Sequence, residues 1–229
     1  MTRKRKVVTV MSHVAVLRYV PGFILAKRPD IVVWQLNVYH EMELMLDKIR
    51  EWEPDVLIIE YLPGITEELM ELEIPKVVIQ YDYEVGFQVC SIDVDDGQVG
   101  RLAGEFFLGK RLENFAYYGK AVQWSEQRLA GFGEVIGKSG GSVSTFIEPQ
   151  EGGPSRYAEY WPNPTEELIE WLKELPKPCG LLAGHDPLGR AILEACVLAE
   201  VEVPREVAVL GVNDDPLVCL LSDPKLSSV

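Results

Sequence analysis

At 229 residues, 47% hydrophobic and 25% charged, the chain has the composition of a globular protein long enough to bury a real core in one large or two small domains. Its 22 basic and 36 acidic residues leave a net charge of −14, which argues against duplex DNA as a direct partner, because phosphate binding needs a concentrated basic surface. No apolar run approaches the roughly 20 residues of a membrane span, and Cys90, Cys179, Cys196 and Cys219 form no C-x-x-C pair, so reduced cytoplasmic thiols are expected in place of disulfides or a zinc site.

In chain order, the only basic cluster, Arg3-Lys4-Arg5-Lys6, reads as a solvated tail rather than a nucleic-acid arm. Val7–Met11 follows. Basic residues precede it as in a secretion signal, but Ser12-His13 cuts the apolar run short and no small-x-small cleavage site follows, so it reads as a buried strand. Further strands are expected at Ile31–Leu36, Val56–Glu60, Lys76–Gln80, Gln88–Ile92, Phe115–Tyr118, Ser142–Ile147, Cys179–Ala183 and Val207–Gly211. Most are continuously apolar rather than alternating, the pattern of parallel strands covered on both faces. Between them, Met42, Met45, Leu46 and Ile49 share one helical face, as do Leu168, Trp171, Leu172 and Leu175. Helix starts are marked by Asp95 with Gln98 three residues on, by Asn163-Pro164 with Glu166, and by Asp186-Pro187. The polar, Gly- and Pro-rich stretch Glu148–Pro164 is a candidate functional loop.

Strand–helix alternation of this kind indicates an α/β fold with doubly wound parallel sheets. A break near Gly109–Asn114 suggests two lobes with a cleft between them: an N-terminal lobe over residues 1–111, a C-terminal lobe over 112–225, and residues 226–229 starting a crossover back to the first lobe. The loops His185-Asp186 and Asn213-Asp214-Asp215 fall at the carboxyl ends of neighbouring strands, where ligands bind in open α/β sheets.

Three stretches carry a resemblance: Ile92–Ala103 (IDVDDGQVGRLA), Tyr118-Gly119 followed by Trp124–Phe132 (WSEQRLAGF), and Gly180–Val229. Together they resemble the effector-binding core of the lactose-repressor/galactose-repressor regulators, a fold similar to type I periplasmic binding proteins. The Trp-x-x-x-Arg spacing and the early first strand look most like the branch that regulates xylose utilisation, in which an arabinose-regulator-type DNA-binding domain follows the sugar-binding core. The resemblance implies a small sugar effector, xylose or a related aldose, a homodimer, and operator contact only through a DNA-binding domain outside this chain. It also implies that the chain stops before the end of the family's core.

Carried over by motif, Arg128 matches an arginine that hydrogen-bonds sugar hydroxyls, Asp95 the aspartate heading the first-lobe helix, and Asn213 the Asp or Asn after the second-lobe strand. His185 stands where most members have a small polar residue, and Trp124 is placed to stack on a pyranose. After the first strand, His13 and Arg18 are the obvious polar groups in a loop shorter than the family's. Each position has a second reading. Asp95 is a helix cap alone or a cap that also faces the cleft; Arg128 faces the cleft or pairs with Glu126 or Glu134. His185 is a ligand contact or a surface residue, Asn213 a contact or an Asx-turn former, and Trp124 a platform or core.

Other chemistry finds less support. Gly131-Phe-Gly133 lies inside a helix pattern and is not G-x-G-x-x-G, and neither a phosphate-cradling P-loop nor G-x-S-x-G occurs. Asp93, Asp95 and Asp96, or Asp214 and Asp215, read as caps and solvated loops rather than metal ligands. No nucleophile–base pair stands out, so a binding domain without metal or cofactor is expected, with a transport-type sugar-binding protein or an α/β enzyme as the alternatives.

Overall fold

The computed structural model describes residues 3–12, 22, 28, 30–37, 42–62, 64–79, 89–149 and 162–229. The chain forms two compact units, Met1–Val94 and Asp95–Val229. Both are α/β units built on a parallel sheet, as the uninterrupted apolar strands imply.

In the first unit, β1 (Arg5–Met11), β2 (Ile31–Asn37), β3 (Val56–Glu60), β4 (Lys76–Ile79) and β5 (Cys90–Ile92) form a five-stranded sheet in the order β2-β1-β3-β4-β5. Every pairing is parallel. Helices α1 (Met42–Trp52) and α2 (Ile65–Met70) are the connections within the described residues. Met45 and Ile49 on α1 and Leu69 on α2 bury against Val8, Val10, Leu36, Leu57 and Ile59. The basic cluster is not a free tail. Arg5 and Lys6 are strand residues, the Lys6 ammonium donates to the Trp52 carbonyl at 2.7 Å, and Arg3 pairs with Asp55 at 3.1 Å. His13, Arg18 and most of the 148–164 loop lie outside the described residues.

In the second unit, α3 (Asp96–Gly109) leads into β6 (Asn114–Lys120), α4 (Gln123–Lys138), β7 (Val143–Glu148), α5 (Glu166–Glu174), β8 (Cys179–Ala183), α6 (Asp186–Leu198), β9 (Val207–Gly211), α7 (Pro216–Leu221) and β10 (Ser227–Ser228). The sheet order is β10-β9-β8-β6-β7, again all parallel. Strand β6 shows why the pattern is unbroken. Phe115 and Tyr117 join a core with Ala103 and Phe107 of α3 and Phe132 and Ile136 of α4. Their neighbours Ala116 and Tyr118 join the opposite core, with Leu168 and Leu172 of α5 and Leu188, Ala191 and Ile192 of α6. Successive side chains point to opposite faces, and both faces are covered.

The division falls at Val94–Asp95, ahead of the expected border at residue 111, because α3 contributes Ala103 and Phe107 to the second unit's core. Within residues 226–229, Ser227-Ser228 pairs with Leu210-Gly211 as an edge strand, anchored by buried Leu226. Two helix starts shift as well. Helix α5 is capped by the Thr165 hydroxyl, which accepts from Leu168 N–H, and not by Asn163. Helix α6 is capped by His185, because the Asp186 side chain is turned inward to other donors.

Candidate functional site

The sheet order places a switch point between β6 and β8. The helix after β6, α4, covers one face and the helix after β8, α6, covers the other, so their two loops diverge at the carboxyl ends of adjacent strands. Such a divergence opens a crevice in which ligands of α/β proteins bind. Trp124 and Arg128 reach it from α4, and Gly184-His185 reach it from the end of β8.

Arg128 is held there by close helix packing. A Cβ built on Gly100 of α3 would lie 2.0 Å from the Arg128 carbonyl oxygen, and one on Gly131 would lie 2.0 Å from the Gly97 carbonyl oxygen. Only glycine lets the two backbones approach this closely. The approach brings Asp96, at the first turn of α3, onto Arg128: Nε donates to Asp96 Oδ1 at 2.7 Å and Nη2 lies 2.6 Å from the same oxygen. Nη1 donates to the Gly184 carbonyl. Among the described residues two guanidinium N–H groups thus donate hydrogen bonds, and Nη2 adds an ionic contact with Asp96. The pairing with Glu126 or Glu134 is not what forms; Glu134 instead meets Lys138 at 2.6 Å and Arg101 at 3.6 Å.

The Trp124 indole lies beside this group, with the Arg128 guanidinium carbon 4.8 Å from its ring centroid. The His185 imidazole stacks on the indole at 5.3 Å and 22°. His185 Nδ1 accepts from Leu188 N–H at 3.2 Å, which fixes the neutral tautomer with its proton on Nε2. The indole face toward His185 is therefore occupied by a ring of the protein and is not an open platform for a pyranose. Beneath the cluster, the buried Tyr117 hydroxyl bonds the Ser125 carbonyl at 2.8 Å, and burial pushes its pKa up to about 12, so it stays protonated.

Asp95 caps α3, accepting from Gln98 N–H at 2.8 Å, and its side chain is 73% exposed with Arg101 at 3.7 Å. Asn213 sits in a left-handed conformation (φ 106°), followed by Asp214 (φ 49°). For residues other than glycine such backbones cost on the order of 1–3 kcal/mol each and persist only when their surroundings impose them. Trp124, Arg128 and His185 thus come together. The loop that carries Asn213 is tied to Asp186, the neighbour of His185, through Asp215 N–H, and Asp95 is a helix cap.

Nothing local in the sequence marks Asp96 or Asp186 as a site residue. Asp96 reads as a cap or a solvated carboxylate, yet it is the buried partner of Arg128. Glycines at 97, 100 and 131 were the available signal of close helix contact. Asp186 is fully buried, and burial raises its pKa. Among the described residues no cluster of three His, Cys, Asp or Glu suits a metal. Burial pushes the Cys179, Cys196 and Cys219 thiols up to about 12, which leaves them poor nucleophiles.

A buried arginine, an aromatic ring and an imidazole thus gather at the switch point of the second unit's parallel sheet. The periplasmic binding protein-like domain family matches residues 105–229, more than half of the chain, and the chain belongs to that family. The Xylose operon regulatory protein of Haemophilus influenzae is 29% identical over 207 residues, covering 86% of this chain and 52% of that protein. The chain spans about half the length of the curated relatives it matches. Among solved structures, a xylose-binding transcription activator superposes with a TM-score of 0.74 at 20% identity, over 100% of this chain and 59% of that one. A periplasmic binding protein/LacI transcriptional regulator from Alkaliphilus metalliredigens, complexed with D-xylulofuranose, superposes with a TM-score of 0.68 at 14% identity, over 98% and 84% of the two chains. The fold expected from the three motifs is borne out, and the family shown is that of periplasmic binding protein-like domains.

Proposed function

We propose that this chain is the effector-binding domain of a cytoplasmic transcription regulator of sugar utilisation, with a small aldose, xylose first, as its effector. The observation that carries the reading is the buried Arg128 at the switch point, its guanidinium fixed in place by Asp96 and the Gly184 carbonyl. A fixed guanidinium fork suits adjacent sugar hydroxyls, and His185 and Asn213 supply further polar groups from the next two loops. The reading is of binding rather than catalysis, in keeping with relatives named as operon regulators.

Operator contact belongs to a DNA-binding domain outside this chain, since a net charge of −14 offers DNA no general basic surface. A homodimer is supported by the exposed Val197 and Leu198 on α6 and Leu217, Leu220 and Leu221 on the adjoining α7. Among the described residues no helix is long and apolar enough to cross a membrane. The sugar regulates only to the extent that it prefers one state of the protein over another.

A thermal-shift series over aldopentoses and aldohexoses tests the site. A sugar at about 100 times its Kd adds about 2.7 kcal/mol of stability. D-xylose or a close relative is expected to raise the Tm, and Arg128→Lys, which replaces the fork with a point charge, to abolish most of the shift. No response to any aldose would sink the reading.

A further inference from the structure

The loop that carries Asn213 holds two successive left-handed residues, and each of its backbone donors has a partner. Asn213 N–H donates to the Val229 carbonyl at 2.9 Å, Asp214 N–H to the Ser228 hydroxyl at 2.9 Å, and Asp215 N–H to Asp186 Oδ2 at 2.7 Å. The Ser228 hydroxyl in turn donates to Asp186 Oδ1 at 2.6 Å. Asp186 is fully buried at the first turn of α6, next to His185, and the Cys219 thiol also donates to it. A Cβ on Gly211 would lie 2.3 Å from Asp186 Oδ1, so the glycine ending β9 leaves the carboxylate its space. A buried carboxylate with this many donors fixes geometry, because each donor would be left without a partner if it moved.

We propose that Asp186 is a positioning residue of the sugar site: directly through Asp215, and by relay through Ser228 to Asp214, it clamps the 213–215 loop in the strained backbone that presents Asn213 to the ligand. The same residue starts α6 beside His185, so one carboxylate sets the relative placement of two candidate ligand groups on adjacent loops. The inference rests on the sugar-binding reading for the ligand, while the clamp itself stands on the hydrogen bonds.

The test uses the 229-residue chain with Asp186→Asn, Ser228→Ala and Ser228→Thr. Amide hydrogen exchange reads the clamp: in Ser228→Ala the Asp214 amide, and in Asp186→Asn the Asp214 and Asp215 amides, are expected to exchange about 10-fold faster or more, while Ser228→Thr, which keeps the hydroxyl, exchanges like the wild type. Calorimetric titration with D-xylose is expected to show about 10-fold weaker binding for the first two variants and rescue by threonine. If Asp186→Asn does not fold, the alanine–threonine pair at 228 decides alone. Unchanged exchange in Ser228→Ala overturns the clamp, and faster exchange with unchanged xylose affinity overturns its role in binding. A wild type that binds no aldose sinks the sugar reading instead, and the exchange measurement then decides the clamp by itself.

Discussion

Asp96 and Arg128 meet across the packed helices α3 and α4, with Nη2 2.6 Å from Oδ1 and side chains only 11% and 7% exposed. Removing one member of a buried pair strands the other charge, at about 3–5 kcal/mol. Asp96→Ala is therefore expected to lose stability on that scale in urea denaturation. The double variant Asp96→Ala with Arg128→Ala should lose clearly less than the two single losses combined, as coupled neighbours do. Additive losses would show that the pair is not an energetic unit.

The glycines of the same contact predict opposite signs within one helix. In α4, a Cβ on Gly131 meets the Gly97 carbonyl oxygen at 2.0 Å, whereas one on Gly133 meets nothing within 4 Å. Gly131→Ala forces the helices apart, and overpacking of this kind costs roughly 1–3 kcal/mol or more. Gly133→Ala only improves helix propensity, a gain of about 0.5–1 kcal/mol. Thermal denaturation of the two variants should shift the Tm in opposite directions, and a common direction would contradict the packing described.

These positions also show what a reader of the sequence can and cannot extract. The parallel sheets were legible because strands buried on both faces must be apolar throughout, and the cap at Asp95 because Gln98 follows at the right spacing. The Asp96–Arg128 pair was hidden. Its members are 32 residues apart, and nothing local distinguishes a carboxylate that points inward from one that caps a helix. The start of α6 misled for the same reason. Asp186-Pro187 has the form of a cap and proline, but the tertiary donors Asp215 N–H and Ser228 claim the carboxylate, so the cap passes to His185. The stacking of Trp124 on His185 joins residues 61 positions apart, which periodicity does not report.

Asp186 gives a pH dependence whose sign is fixed by burial. Burial raises its folded-state pKa above the ordinary aspartate value, the largest of the influences on it. Between the unfolded and folded values the native state holds the proton more tightly, so stability is greatest below that window and falls as pH rises through it. Asn at this position cannot titrate. The stability of the wild type relative to Asp186→Asn should therefore decline from about pH 4 toward neutrality in paired denaturation curves. A gap that instead widens in favour of the wild type would mean that the donors around the carboxylate outweigh its burial.

The exposed leucines of α7 give the last prediction. Leu217, Leu220 and Leu221 are 54%, 62% and 77% exposed, while Val218 and Cys219 of the same helix face inward. Val197 and Leu198, 69% and 61% exposed, add apolar surface at the end of α6. Clustered exposed apolar side chains mark association surfaces more often than plain solvent-facing ones. Light scattering of the wild type is expected to give the mass of a dimer. Leu221→Glu, which puts a charge where a partner must desolvate it, should shift the population to monomer with little change in the stability of the fold, because Leu221 makes little use of the core. A wild-type monomer, or a dimer indifferent to Leu217→Glu and Leu221→Glu together, would place self-association on another surface.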